Sequence, residues 1–522
     1  MKNLKNIYLK SLIGFAIVTI SLSSCDKQLE IQPKDQIDAS QALTTSAGVD
    51  ASIATVYATL KGEAFYGNRL IGLAEALADN GQATNKSGRY LNEASNIRGA
   101  HFTNWTASYV ALNRINIVLE ALPGIADASD ARKLQYEGEL KFLRALYHFD
   151  LVRTYAYIPG AIVASQDKGG VPILLKAINT ADAALSAVTP RVPIKDVYAA
   201  VYADLDIAVA NLGNLTNSAF ANKQAALALY SRVALYNKDY ARVISLSNDL
   251  ITARGNTLLN ASNYFAGFTG IRNPESLFEV TYTLENEGIG VNTSLHTLFT
   301  TLKTRLGAPK RDSTDNYAGR RATDRKIPVG GTAGFGDLVP TLPLLNALGI
   351  TVTNNGTNQT LITNRSNDIR NSMFEVGSSL RSNPHVESTK FLGKAGFVNV
   401  DNIPVFRIAE AYLNRAEAYA EAGPQQNIAL ALANVNTIRT ARGLTPIGAL
   451  IGSALIDEIL LQRRIEFAFE GHRFFDLKRR GQEIFKPVSN STLQFDNFVI
   501  LPGIPQGDVD ASNGTIAQNT GY

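Results

Sequence analysis

The densest run of chemistry-bearing side chains in this 522-residue protein lies between Ile456 and Leu477. It holds Asp457, Glu458, Arg463, Arg464, Glu466, Glu470, His472, Arg473 and Asp476. Acids and bases so close could move protons, but their spacing favours pairing. Glu470 with Arg473, and Arg473 with Asp476, stand three apart, where opposite charges on a helix form ion pairs, and Glu466 stands four before Glu470 on the same expected face. Ile459, Leu460, Phe467 and Phe469 would seat such a helix, which the pattern predicts over 453–481. Arg407, Glu410, Arg415 and Glu417 repeat the arrangement. Arg144, Tyr147, His148, Asp150 and Arg153 share another helix, where a lone histidine reads as a hydrogen-bonded core residue. The five histidines (His101, His148, His296, His385, His472) never stand four apart, and no HExxH occurs, so no zinc site is expected. There is no G-x-S-x-G nucleophile elbow. Ser165-Gln-Asp-Lys168 spells S-x-x-K without its partner motifs. Asp508, Asp510 and Ser512 open like a calcium loop, but the glycine falls at 514 and Asn519 stands where a bidentate glutamate is needed. With 46 acidic residues, composition alone nominates no glycosidase pair. No metal site and no cofactor is expected, with a weak structural cation in a loop left as an alternative.

One residue does call for chemistry. Cys25 is the only cysteine. Before it stand Lys2, Lys5 and Lys10, then an apolar run from Leu12 to Leu22. That run is shorter than the ~20 residues a membrane-spanning helix needs. A charged start and a short apolar stretch is the layout of a secretion signal. It ends in Leu22-Ser23-Ser24-Cys25, which resembles the bacterial lipobox, where the thiol is acylated and the chain is cut just before it. The reading is a signal peptide over 1–24, a lipidated Cys25, and a polar tether over 25–40. Each buried methylene of an acyl chain adds about 0.8 kcal/mol, so a multiply acylated cysteine anchors firmly. The signal carries three lysines and no acid, so its removal leaves 498 residues and takes the formal charge from +4 to +1. A nearly neutral domain lacks the basic face that nucleic acid requires. No thiol remains for a disulfide, a nucleophile or a zinc-thiolate site.

The elements that position these residues are mostly α-helical. Apolar residues at helical spacing predict helices over 106–122, 131–155, 194–212, 223–236, 239–252, 404–422 and 426–442. Pro190 and Pro193 suit the helix start at 194. Gly423 is placed to end the helix before it. Ala225, Ala226, Ala228 and Ala234 make helix pairs resembling tetratricopeptide-type hairpins, though the period is irregular. The stretch from 253 to 403 changes character. It is rich in Gly, Asn and Thr; Leu277 to Thr283 alternates as a strand, and 303–337 and 350–368 read as loops and short pieces. Over 41–522 the expectation is one domain: a helical scaffold at 41–252 and 404–481, a loop-rich insertion at 253–403, and an extended tail at 482–522.

These motifs together resemble the SusD/RagB family of nutrient-binding lipoproteins of Bacteroidetes. The resemblance runs nearly end to end. It is carried by Leu29-Glu-Ile-Gln-Pro33 after the lipobox, by Glu139 to Tyr155 with Gly169-Gly-Val-Pro-Ile173, and by Asp368-Ile-Arg370. It continues through Phe406 to Ala418, Ile456 to Leu477, Leu501 to Gln506, and Gln518 to Tyr522. The chain departs from the family pattern at Thr520, where a proline is usual, and at Gly503, an extra residue. The acidic export signal that often follows the lipidated cysteine is only approximated by Asp26, Lys27 and Glu30. The resemblance implies four tetratricopeptide-type hairpins as scaffold and a loop-rich part that carries the ligand. It implies a place at the outer membrane, facing the cell surface. It also implies a SusC-like TonB-dependent barrel as partner, over which the protein acts as a lid, and binding without catalysis. The ligand it implies is an oligosaccharide, or in some relatives a peptide or other nutrient; a surface glycosidase is the third reading.

Sugars stack their apolar faces on aromatic rings while amides, acids and arginines take the hydroxyls. Loops held by a rigid scaffold are where such groups are expected. Two regions qualify. The loop from Asp79 to Trp105 offers Tyr90, Trp105, Asn85 and Arg89, with Phe102, Asn80 and Asn92. The middle region offers Tyr317 and Phe335, with Tyr282, Arg320 and Asp337. Trp105 reads slightly better as a helix start packing inward. Tyr90, in polar and glycine-containing surroundings, is the preferred stacking ring. A single tryptophan is lean for a sugar platform, which keeps the peptide reading open.

Overall fold

The computed structural model describes residues 43–187, 189–282, 287–302, 320–321, 334–378, 382–392 and 399–522. Cys25, the tether and Tyr317 lie outside the described residues.

The first helix shows how these elements are specified. Helix α1 (Ser46–Leu60) buries Val49, Ile53, Val56 and Leu60, one stripe at helical spacing. Thr45 caps it by accepting from Gly48 N at 3.3 Å. Helices α2 (Arg69–Ala76), α3 (Trp105–Ala121), α4 (Asp130–Tyr155), α5 (Ile194–Asn211), α6 (Lys223–Tyr236) and α7 (Tyr240–Arg254) follow. Ser129, Asn222 and Asp239 cap α4, α6 and α7 through their side chains. After the irregular middle come α8 (Ile408–Ala420), α9 (Ile428–Ala441), α10 (Gly452–Glu466) and α11 (Arg473–Arg479). From α3 to α9 each of these helices packs on the next. That is the arrangement of stacked helical hairpins. Helix α6 is buried at every position after Lys223, and its alanines let neighbouring helices approach closely. The fold is mostly α, as the periodicity predicts.

Short strands complete it. Antiparallel pairs join β1 (Gly81–Ala83) to β3 (Leu338–Pro340), and β2 (Ser276–Val280) to β8 (Ile403–Arg407). Others join β4 (Ile350–Thr353) to β5 (Leu361–Arg365), β6 (Phe374–Val376) to β7 (Val386–Ser388), and β9 (Ile484–Lys486) to β10 (Ser491–Leu493).

Four expectations are corrected. Residues 404–407 form a strand, because pairing with β2 wins over helical propensity, and the helix starts at Ile408. Residues 350–368, expected as loops and short pieces, hold a regular β-hairpin. The tail is not simply extended: it holds the β9–β10 hairpin and a helical turn over Gln506–Ala511. That turn also removes the calcium-loop likeness, since Asp508 accepts from Thr106 and Asp510 from Gln506.

The fourth correction concerns the charged run. The expected helix over 453–481 breaks after Glu466, where Phe469 (φ +63°) and Gly471 (φ +85°) turn the chain before α11. Glu466, Glu470 and Arg473 therefore do not share one helix face, and Arg473 pairs with neither Glu470 nor Asp476. The charges pair across long distances in sequence. Arg407 bonds Glu275, Glu466 and Glu470. Arg442 bonds Glu275 and Glu466 at 2.8 Å each. Arg370 bonds Asp368 at 2.7 Å and Glu466 at 3.4 Å, and Lys390 bonds Glu470 at 2.5 Å. Four acids and four bases, every side chain at most 3% exposed, thus tie the irregular middle to β8, α9 and α10. The arginines hold the carboxyl of Glu466 well below its ordinary range despite burial. Arg473 instead grips Asp79 at 2.6 and 2.8 Å, at the root of the loop discussed next.

Candidate functional site

The loop after Asp79 and the segment around Phe335, more than 230 positions apart in sequence, meet in space. Their meeting starts as a strand pair. Gly81, Gln82 and Ala83 oppose Pro340, Val339 and Leu338. The lacing continues on both sides: Thr341 N donates to Asn80 O and Thr84 N to Asp337 O, at 2.8 and 2.9 Å. The loop then folds over the segment it has paired with. Lys86 reaches Glu387 at 3.1 Å, both side chains fully buried. Thr301 and Thr300 also donate to that carboxylate.

Beyond this root lies a small polar and aromatic unit. Asp337, 1% exposed, accepts from Ser87 Oγ at 2.6 Å and from Arg89 Nε at 3.0 Å. Arg89 also donates to the Asn292 carbonyl. Its guanidinium lies over the Phe335 ring, 4.3 Å from the centroid. Phe335 is half-buried, and Asn85 and Asn292 are exposed. Asn85 takes a positive φ of 58°, which asparagine tolerates better than most residues. Phe335 and Arg89 offer an aromatic ring and N–H donors. The exposed amides add donors and acceptors. That combination suits the apolar face and the hydroxyls of a sugar, and the carboxylate of Asp337 holds the arginine in place.

The structure therefore joins Arg89, Phe335 and Asp337, with Asn85 on the same loop. It separates the other two rings from them. Tyr90 is 7% exposed, and its hydroxyl donates to Asn68 Oδ1. Burial pushes its phenol pKa far up. Its φ of +63° turns the side chain inward, where it meets Gly72 of α2; a Cβ there would come within 2.7 Å of the hydroxyl. The preferred stacking ring is thus a core ring, and the polar sequence around it misleads because the flanking residues point elsewhere. Trp105, 1% exposed, opens α3 and packs edge-on against Tyr155, with centroids 4.9 Å apart. Tyr282 is buried too, its hydroxyl on the Lys61 carbonyl at 2.9 Å. The side chain of Arg320 lies outside what is described. Ser87 and Asn292 are site residues that sequence reading missed. Neither carries a signal beyond being polar in a loop.

The remaining parts of the loop form the wall of a groove of about 630 Å³. Gly81–Ala83, Leu91 and Ala94–Arg98 line it from the loop, and Lys486–Ser489, Ser491–Leu493 and Asn497–Val499, in and after the β9–β10 hairpin, line it from the C-terminal part. None of the C-terminal residues in this wall stands out in the sequence as a ligand group.

The family model described as "SusD family" matches residues 312–522. A second, described as "Starch-binding associating with outer membrane", matches residues 28–235. The chain is 26% identical to SusD-like protein P38 of Formosa agariphila, over 94% of this chain and 95% of that protein. A SusD superfamily protein from Bacteroides thetaiotaomicron superposes with a TM-score of 0.72 at 22% identity, covering 91% of this chain and 99% of that one. Surface glycan-binding protein A from Bacteroides uniformis superposes with a TM-score of 0.66 at 19% identity, covering 91% and 99%.

Proposed function

The chain belongs to the SusD family, and from that premise we propose that it is a non-enzymatic lipoprotein that binds an oligosaccharide at the bacterial outer membrane. The observation that carries the reading is the unit of Arg89, Phe335, Asp337 and Ser87. It assembles an aromatic ring and polar groups from two distant loops on a rigid helical scaffold. The described neighbours of Asp337 engage it as the partner of Arg89 and Ser87, which supports binding over catalysis. That a fold relative is named for surface glycan binding, and a matching family model for starch binding and the outer membrane, supports the same reading.

In this reading Cys25 is acylated and the tether holds the receptor beside a SusC-like TonB-dependent barrel, which receives the ligand. A peptide nutrient is the second reading. One observation favours it: the only tryptophan is buried, which leaves phenylalanine and tyrosine to do the stacking.

The test is a binding screen of the lipid-free protein, residues 26 onward, against immobilised neutral and acidic glycans and a peptide library, with product analysis after incubation. Retention of a glycan without cleavage is the expected result. Retention of peptides alone would replace the sugar reading, and release of shorter sugars would replace the non-enzymatic one.

A further inference from the structure

The groove beside the loop carries an electrostatic feature that a neutral sugar does not call for. Two cations line it, Arg98 and Lys486, and no lining residue is acidic. Neither cation forms an ion pair with any described residue. Arg98 is exposed, its guanidinium 5.5 Å from the centre of the Tyr522 ring. Lys486 is 8% exposed, and its ammonium donates to the carbonyls of Ala76 and Ala78 at 2.6 and 2.8 Å. Those bonds cap the end of α2 and use two of its three N–H donors. Asp79 is the acid whose field reaches Lys486, but Arg464 and Arg473 already engage it at 3.3 and 2.6 Å. A buried cation without a counter-charge is costly, because burial removes hydration that no carboxylate replaces. Burial accordingly lowers the Lys486 pKa to about 7, with Asp79 opposing.

The rest of the lining fits a sugar. Gln82, Asn497, Ser491 and Thr492 supply amides and hydroxyls, and Ile97 and Val488, 52% and 73% exposed, supply apolar surface at the rim. Asn96 Oδ1 is buried with no donor bonded to it, while its amide nitrogen donates to Leu77 O at 3.2 Å. The volume of about 630 Å³ is within the usual range for small-ligand sites.

We propose that this groove is a second saccharide seat, which takes the carboxylate or sulfate group of an anionic oligosaccharide between Arg98 and Lys486. The assignment rests on the glycan-binding reading above and adds the charge class of the ligand. The arginine fork suits a planar carboxylate or a sulfate face, and the lysine adds a point charge.

The experiment is titration calorimetry of the lipid-free protein with three probes: an oligogalacturonate, a sulfated galactan oligosaccharide and a neutral malto-oligosaccharide. It is run at low and at raised salt, with Arg98→Gln and Lys486→Met beside the wild type. Arg98 is exposed, so Arg98→Gln keeps the fold even where Lys486→Met, which uncaps α2, does not. The expected result is that one acidic probe binds, weakens with salt, and loses about ten-fold in affinity in Arg98→Gln. The two acidic probes tell a carboxylate from a sulfate. Unchanged acidic-probe affinity in Arg98→Gln overturns the proposal. Binding of the neutral probe alone also overturns it while leaving the glycan reading intact, and binding of no saccharide removes both.

Discussion

Replacing Glu466 by Gln keeps the shape of the side chain and removes one charge from the buried cluster. Glu466 accepts from Arg407 at 3.0 Å, from Arg442 at 2.8 and 3.0 Å, and from Arg370 at 3.4 Å. The wild-type cluster balances four carboxylates against four cations; the variant leaves three against four, with every member out of water. Breaking a buried pair in this way costs about 3–5 kcal/mol, since the surplus cation stays buried. The roughly 480 residues from Leu43 onward, at about 2.1 cal/mol/K each, unfold with an entropy near 1 kcal/mol/K. The midpoint of thermal unfolding should therefore fall by about 3–5 °C in differential scanning calorimetry at pH 7. Asp50→Asn is the control. Its pair with Arg132 is 55% and 47% exposed, so removing it should shift the midpoint by less than about 1 °C. If Glu466→Gln shifted no more than Asp50→Asn, the cluster would not hold the middle of the chain on the scaffold, and the positioning of the site would need another cause.

Burial raises the Glu75 pKa to about 7 from about 4.5, against hydrogen bonds from Asn80 and the backbone. The folded state then holds this proton through a pH range where the unfolded chain releases it, so the group lowers stability as pH rises from 4.5 to 7, by about 3 kcal/mol in all. The stability of Glu75→Gln relative to wild type should grow by that amount between pH 4.5 and 7, and a flat difference would show that Glu75 is ionised throughout. Tyr90→Ala should destabilise the protein by about 3–5 kcal/mol in urea unfolding, because it opens a core cavity and removes the donor to Asn68; an unchanged midpoint would return Tyr90 to the surface. Cys25→Ser should abolish incorporation of labelled palmitate and move the protein from the membrane to the soluble fraction, whereas continued labelling would remove the anchor reading.

The long helices were legible because apolar residues recur at helical spacing, as in the buried stripes of α1 and α7, and several carry a side-chain cap: Ser129, Asn222 and Asp239 sit where a cap is needed. Ile403–Arg407 was not legible as a strand, because nothing local reports that β2, more than 120 positions earlier, will pair with it. The charges of 456–477 were legible as structural but not in their partners. Local spacing knows nothing of Arg407, Arg442 or Arg370, and the turn at Phe469 breaks the helix on which that spacing relied. The same limit shaped the site. Arg89 and Phe335 could be named singly from loop composition, yet their contact depends on the β1–β3 pairing. Tyr90 stood in polar company, and only the backbone conformation at that residue turns it into the core.

The most direct test of the central reading is titration of wild type and Phe335→Ala with the glycan that the screen retains. The ring presents apolar surface beside the Arg89 guanidinium, and losing a stacked ring should weaken binding at least about ten-fold, with the circular dichroism spectrum unchanged. Equal affinity in the two proteins would contradict the placement of the sugar at Arg89, Phe335 and Asp337.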